Sequence, residues 1–116
     1  MTISVKRVYE PRAAQDGRRV LVDRLWPRGL TKADARIDYW PKDLAPSNEL
    51  RKWYGHDPKK WLQFKKRYFA ELDGKSEDVR SLLKFVAGKN VTFLFGSKEE
   101  RLNNAFALKE YVESKL

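Results

Sequence analysis

The sequence predicts an α/β fold: a single domain over residues 1–116 with a short, mostly parallel sheet flanked by helices and a long aromatic-rich loop after the second strand. Three observations predict it. Val20-Leu21-Val22 and the stretch Asn90 to Phe95 (NVTFLF) are short apolar runs of the kind that form buried strands. Segments with apolar residues at helical spacing, bounded by capping residues, lie between and after them. The order strand, helices, strand, helix is that of a parallel crossover, so the two apolar strands should run side by side in the same direction.

Each element has its own local cause. Ile3 to Val8 alternates and reads as a first strand, its direction left open. Asp16-Gly17 marks a turn into the second strand, Arg19 to Asp23. Arg24 to Pro46 is irregular, with one helical turn at Thr31 to Ala35, and Trp26, Tyr39 and Trp40 are there to pack it. Ser47 can cap a helix over Asn48 to Tyr54 that Gly55 ends in a left-handed conformation. Asp57-Pro58 restarts the helix: Trp61, Phe64, Tyr68 and Leu72 follow at helical spacing, and Gly74 closes it. Another helix runs from Ser76, with Val79, Leu82, Leu83 and Val86 inward and Gly88 as its stop. After the strand at 90–95, Ser97 and Glu100 form a capping box for a last helix burying Leu102, Ala105, Phe106, Leu108 and Val112.

Composition narrows the chemistry. With 116 residues, 41% hydrophobic, the chain can build one core and not two. It has no cysteine and one histidine, which excludes disulfides, thiolate nucleophiles, Cys-ligated zinc and His-rich metal sites. No metal or cofactor is expected. There is neither a signal-peptide pattern nor a run of about 18 apolar residues, so the expected location is the cytoplasm, with no membrane partner. The net charge of +9 is weighted forward, with 14 basic against 8 acidic residues up to residue 60 and 11 against 8 after it. Such an excess draws anions, and it also serves plain solubility.

Ligands of open α/β sheets collect at the carboxyl ends of the strands, which points to two segments bordering one crevice. The first is Asp23 to Gly29. Asp23 emerges from a buried strand as a candidate general base, while Arg24 and Arg28 bracket Trp26, two guanidinium groups beside a stacking plane. An ion pair of Asp23 with either arginine accounts equally for these residues. The second segment is Gly96-Ser97-Lys98 at the expected start of the last helix, where free backbone N–H groups, a hydroxyl and a cation suit a phosphate. An ordinary capped helix start explains it too, since Glu99 and Glu100 would complement the helix dipole themselves. His56 is a candidate for proton transfer, or simply part of the junction between two helices. Asn103 and Asn104 are poor helix formers, either candidates to hydrogen-bond in the crevice or simply exposed. Lys59, Lys60, Lys65, Lys66 and Arg67 read as a solvated helix face.

The stretches RVLVDRLWPRGL, ELRKWYGHDPKKWLQFKKRYFAEL and VTFLFGSKEERLNNAFALKEY together resemble the YeaO-like branch of the bacterial and archaeal DUF 488 family, over nearly the whole chain. The resemblance implies that the motif residues Asp23, Arg24, Trp26, Pro27, Arg28, Gly29, Trp53, His56, Asp57, Trp61, Lys98, Asn103 and Asn104 are those to test. It supplies no reaction. Longer members of the broader family carry a Cys-His-Arg element near the last strand that this chain lacks, so thiol chemistry does not transfer. Many relatives have an Ala-Ala/Ser-Lys-Asp type segment where this chain has Phe95-Gly96-Ser97-Lys98-Glu99. Three function classes follow: a pocket, binding or enzymatic, for a small anionic ligand such as a nucleotide or phosphorylated metabolite; a nucleic-acid binder using the basic surface; and a protein-interaction module.

Overall fold

Three strands, all parallel, form the sheet in the order β1-β3-β2, in a computed structural model that describes residues 2–116. β1 is Thr2–Arg7, β2 is Arg18–Leu21 and β3 is Asn90–Phe95. The helices are α1 (Lys32–Ala35), α2 (Asn48–Tyr54), α3 (Trp61–Asp73), α4 (Ser76–Val86) and α5 (Asn104–Lys115). β2 and β3 are neighbours, with Val20 opposite Phe93 and Leu21 opposite Leu94, as the crossover pattern requires. The first strand, whose direction the sequence leaves open, is parallel as well.

The strand residues sort to two faces by the two-residue period of a strand. Ile3, Val20, Val22, Val91, Phe93 and Phe95 face the helices and join Leu50, Phe64, Tyr68, Leu82 and Leu108 in the main core. Leu21 and Leu94 face the other way and meet Val8, Trp26, Leu30, Ile37 and Trp40. That second face is covered by chain without long helices. The 8–17 connection must pass β3 to reach β2, and it is pinned there through Asp16: its carboxylate receives Lys6 and Arg19 at 3.1 and 2.7 Å, and its carbonyl accepts the Thr92 hydroxyl at 2.8 Å. The 24–46 loop closes the rest, with Trp26 and Trp40 edge-on at 5.5 Å. The same loop protects the outer edge of β2, where Tyr39 bonds Leu21 and Arg19 through the backbone.

Most local expectations hold. Thr31 and Ser47 cap α1 and α2, accepting from the backbone N–H of Asp34 and Leu50, and Gly55 ends α2 at φ +53°. Asp57 caps a 3₁₀ turn, Pro58–Lys60, that leads into α3. The last helix is a correction: it begins at Asn104 and not at Ser97. The Ser97 hydroxyl donates to the carbonyl of Glu99, and the Glu99 carboxylate takes the amides of Arg101 and Leu102. Residues 97–103 are therefore a knot of turns. Asn103 is the true cap, its Oδ1 accepting from Ala105 and Phe106.

Candidate functional site

Where β2 and β3 end, the chain opens into a cavity of about 340 Å³. Asp23 stands at its base, one residue past the last sheet bond of Val22. Its Oδ2 accepts the backbone N–H of Gly96 at 2.8 Å, its Oδ1 accepts Asn104 Nδ2 at 3.1 Å, and its carbonyl accepts Trp40 Nε1 at 2.7 Å. One side chain thus ties together the exits of both strands, the start of α5 and the long loop. A Cβ on Gly96 would come within 3.3 Å of Asp23 Oδ2, which is the reason a glycine suits that position. Burial pushes the Asp23 carboxyl above its ordinary value; the bonds from Asn104 and Gly96 and the charges of Arg51 and His56 oppose the shift without cancelling it.

The walls carry cations and rings. Arg24 donates through Nη2 to the carbonyl of Ala45 at 3.3 Å, and its Nε is buried with no partner. Arg28 and Arg51 are exposed at the cavity edge, and Arg51 Nη2 donates to Asn48 Oδ1 at 2.8 Å. Tyr54 stacks on Phe64 at 4.3 Å and donates its hydroxyl to Leu102 O at 2.6 Å. Burial, helped by Glu99 and Asp57, pushes that phenol up to about 12, so it stays a donor. His56 follows Gly55 in a second consecutive left-handed position, at φ +57°. This conformation is costly for a side chain with a Cβ, and it is held at the cavity rim.

The cavity collects Asp23, Arg24, Trp26, Arg28, His56, Gly96, Ser97 and Asn104 from among the residues singled out in the sequence. Gly29, Lys98 and Asn103 are not in its lining. Asn103 is fully buried in capping work, and Lys98 is exposed on the 97–103 turns, so no phosphate-binding helix start exists at Gly96-Ser97-Lys98. The Asp23–arginine ion pair is absent too: among the described residues no cation lies within 4.0 Å of Asp23. Sequence reasoning missed Arg51, Tyr54 and Tyr9. The first two were findable, because positions 51 and 54 share a helix face and Tyr54 precedes the Gly55-His56 junction. Tyr9 lines the cavity from beyond β1 and donates its hydroxyl to Arg28 O at 2.8 Å, a contact that nothing local in the sequence indicates. Among the described residues no group of three metal-type side chains converges.

These features define a small parallel α/β protein with a cavity of mixed lining at the strand exits, bordered by three arginines. The chain belongs to the family described as "Inactive DUF488-N3 subclade", whose model matches residues 2–116. It is 38% identical over 114 residues to "Uncharacterized protein YeaO" of Escherichia coli (strain K12), covering 98% of this chain and 99% of that protein. It is also 53% identical over 70 residues to "Uncharacterized protein Rv3073c" of Mycobacterium tuberculosis (strain ATCC 25618 / H37Rv), 60% of this chain and 59% of that one. No solved structure matches the chain at a significant level. Among the described residues no helix is long and apolar enough to cross a membrane.

Proposed function

We propose that the cavity binds a small anionic ligand of the nucleotide or phosphorylated-metabolite class, and that it binds without turnover. The observation that carries this is the meeting of Arg24, Arg28 and Arg51 with Asp23 on one cavity at the strand exits. Guanidinium forks match phosphate and carboxylate oxygens, and three arginines contribute to this one lining. Asp23 supplies the opposite chemistry, an acceptor for an N–H or O–H of the ligand, while Trp26, Tyr54 and Phe64 give an apolar lining. A binding role is supported by the word "inactive" in the family description.

A thermal-shift panel of nucleotides and phosphorylated metabolites tests it. A ligand at a hundred times its Kd stabilises the native state by about 2.7 kcal/mol, a readily measured rise in Tm. Arg51→Ala and Arg28→Ala, both at exposed positions, should leave the unliganded Tm within a degree or two and abolish most of the rise. A panel with no stabiliser for well-folded protein overturns the proposal.

A further inference from the structure

We propose that the exposed surface of α2 and the first half of α3 is a binding strip for a single nucleic-acid strand, gripped through its phosphates. Residues 48–67 hold seven Lys and Arg against two Asp and Glu, a net +5 of the chain's +9. Among the described residues only Lys65 of those seven lies within 4.0 Å of a carboxylate, that of Glu110. Arg51, Lys52, Lys59, Lys66 and Arg67 are exposed. The charge here is thus neither scattered over the surface nor neutralised by its neighbours.

Two of these cations are fixed in place. Lys60 Nζ and the Arg67 guanidinium lie 5.0 and 4.0 Å from the ring of Trp53, and Lys60 Nζ also donates to Trp53 O at 2.8 Å. Seven residues and about two helical turns apart, they meet one indole, and Lys59 and Lys66 repeat the same spacing one position back. The result is a row of cations spread over roughly 10 Å of helix axis. A single phosphate needs one arginine fork; a row of this length matches repeated charge.

The choice of nucleic acid rests on what borders the row. Two half-buried indoles lie among the cations themselves, Trp53 beneath Lys60 and Arg67 and Trp61 beneath Lys65. Cations along a track with rings among them are what a single strand offers phosphates and bases to. An anionic membrane asks for several exposed apolar side chains beside the cations, and Leu62 is the one large exposed hydrophobic residue of α3 among the described residues. The strip goes beyond the cavity reading and stands without it, since none of Lys52, Lys59 or Lys66 lines the cavity.

Fluorescence anisotropy with a labelled oligothymidylate of about 15 nucleotides at about 50 mM salt tests the strip, with binding expected in the micromolar range and falling with salt. The triple variant Lys52→Gln/Lys59→Gln/Lys66→Gln should bind about tenfold more weakly or worse, with a log–log salt slope flatter by roughly two. Lys32→Gln/Lys84→Gln/Lys89→Gln removes the same charge from other exposed positions and should stay within about twofold of the parent. Circular dichroism checks that both variants fold. Equal weakening of the two variants reduces the effect to net charge and overturns the strip. So does failure of the parent to bind, or stronger binding to phosphatidylserine vesicles than to the oligonucleotide.

Discussion

Two buried carboxylates show how one residue type is put to opposite uses. At Asp16 burial alone would raise the pKa, but the Ala13 amide, Lys6 and Arg19 outweigh it and hold the carboxyl below its ordinary 3.8. Its stabilising contribution is therefore present above 3.8 and is lost as pH falls through the lowered folded-state value. At Asp23 burial wins. The folded state favours the proton there, so that contribution is complete below 3.8 and is lost as pH rises through the raised value. Carboxyl carbon shifts followed by NMR should place Asp16 and Asp23 on opposite sides of 3.8. Asp16→Asn should cost about 3 kcal/mol in urea unfolding at neutral pH, because it leaves the buried Arg19 guanidinium uncompensated. That loss should shrink below pH 3.8, where the parent protein sheds the same contribution. The place of Asp23 at a strand exit was legible because it follows Val20-Leu21-Val22, but its partners, the Gly96 amide and Asn104, were not. Asp16 was legible only as a turn marker, since nothing local shows that Lys6, Arg19 and Thr92 converge on it.

Helix boundaries were read well wherever the cap and the helix lie together in sequence, as at Ser47, Gly55 and Asp57. They were misread at α5, where two local patterns compete. Ser97 with Glu100 satisfies the capping-box spacing, and Asn103 is an equally good cap six residues later. Long-range bonds decide between them. Arg7 donates to the carbonyls of Ser97 and Gly96, and Asp23 takes the Gly96 amide, so the segment after β3 is held in a shape that cannot start a helix. Asn103→Ala should therefore cost about 2 kcal/mol, the upper end for a cap, since Asn103 is buried and its Nδ2 also holds Glu99 O. Ser97→Ala should cost under about 0.5 kcal/mol. Guanidinium denaturation of the two variants checks the contrast; equal losses would restore Ser97 as the cap.

At the scale of the whole molecule the last strand is the keystone. β3 is central, so β1 and β2 touch the sheet only through it, although 68 residues of chain separate Leu21 from Asn90. A fragment ending at Lys89 leaves both earlier strands without a partner and the main core without Phe93, Phe95 and Leu108. It should show no cooperative thermal transition, whereas the full chain should; calorimetry tells them apart. The cavity depends on the same arrangement, drawing its lining from the end of β1, the loop after β2, the end of α2 and the exit of β3.

By itself the sequence determined what short-range physics controls: the strand at 90–95, most helix limits and their inward faces (Phe106 of α5, expected inward, is exposed), and the neighbouring parallel pair of strands that makes Asp23 and Gly96 meet. Those follow from periodicity, caps and the handedness of crossovers, which act over a few residues or on topology as a whole. Only the tertiary structure decided the direction of β1, the start of α5, the pinning of Asp16, and the entry of Arg51, Tyr54 and Tyr9 into the cavity. Each of these turns on a contact between distant parts of the chain, and a buried donor or carboxylate takes whichever partner the packed fold delivers to it.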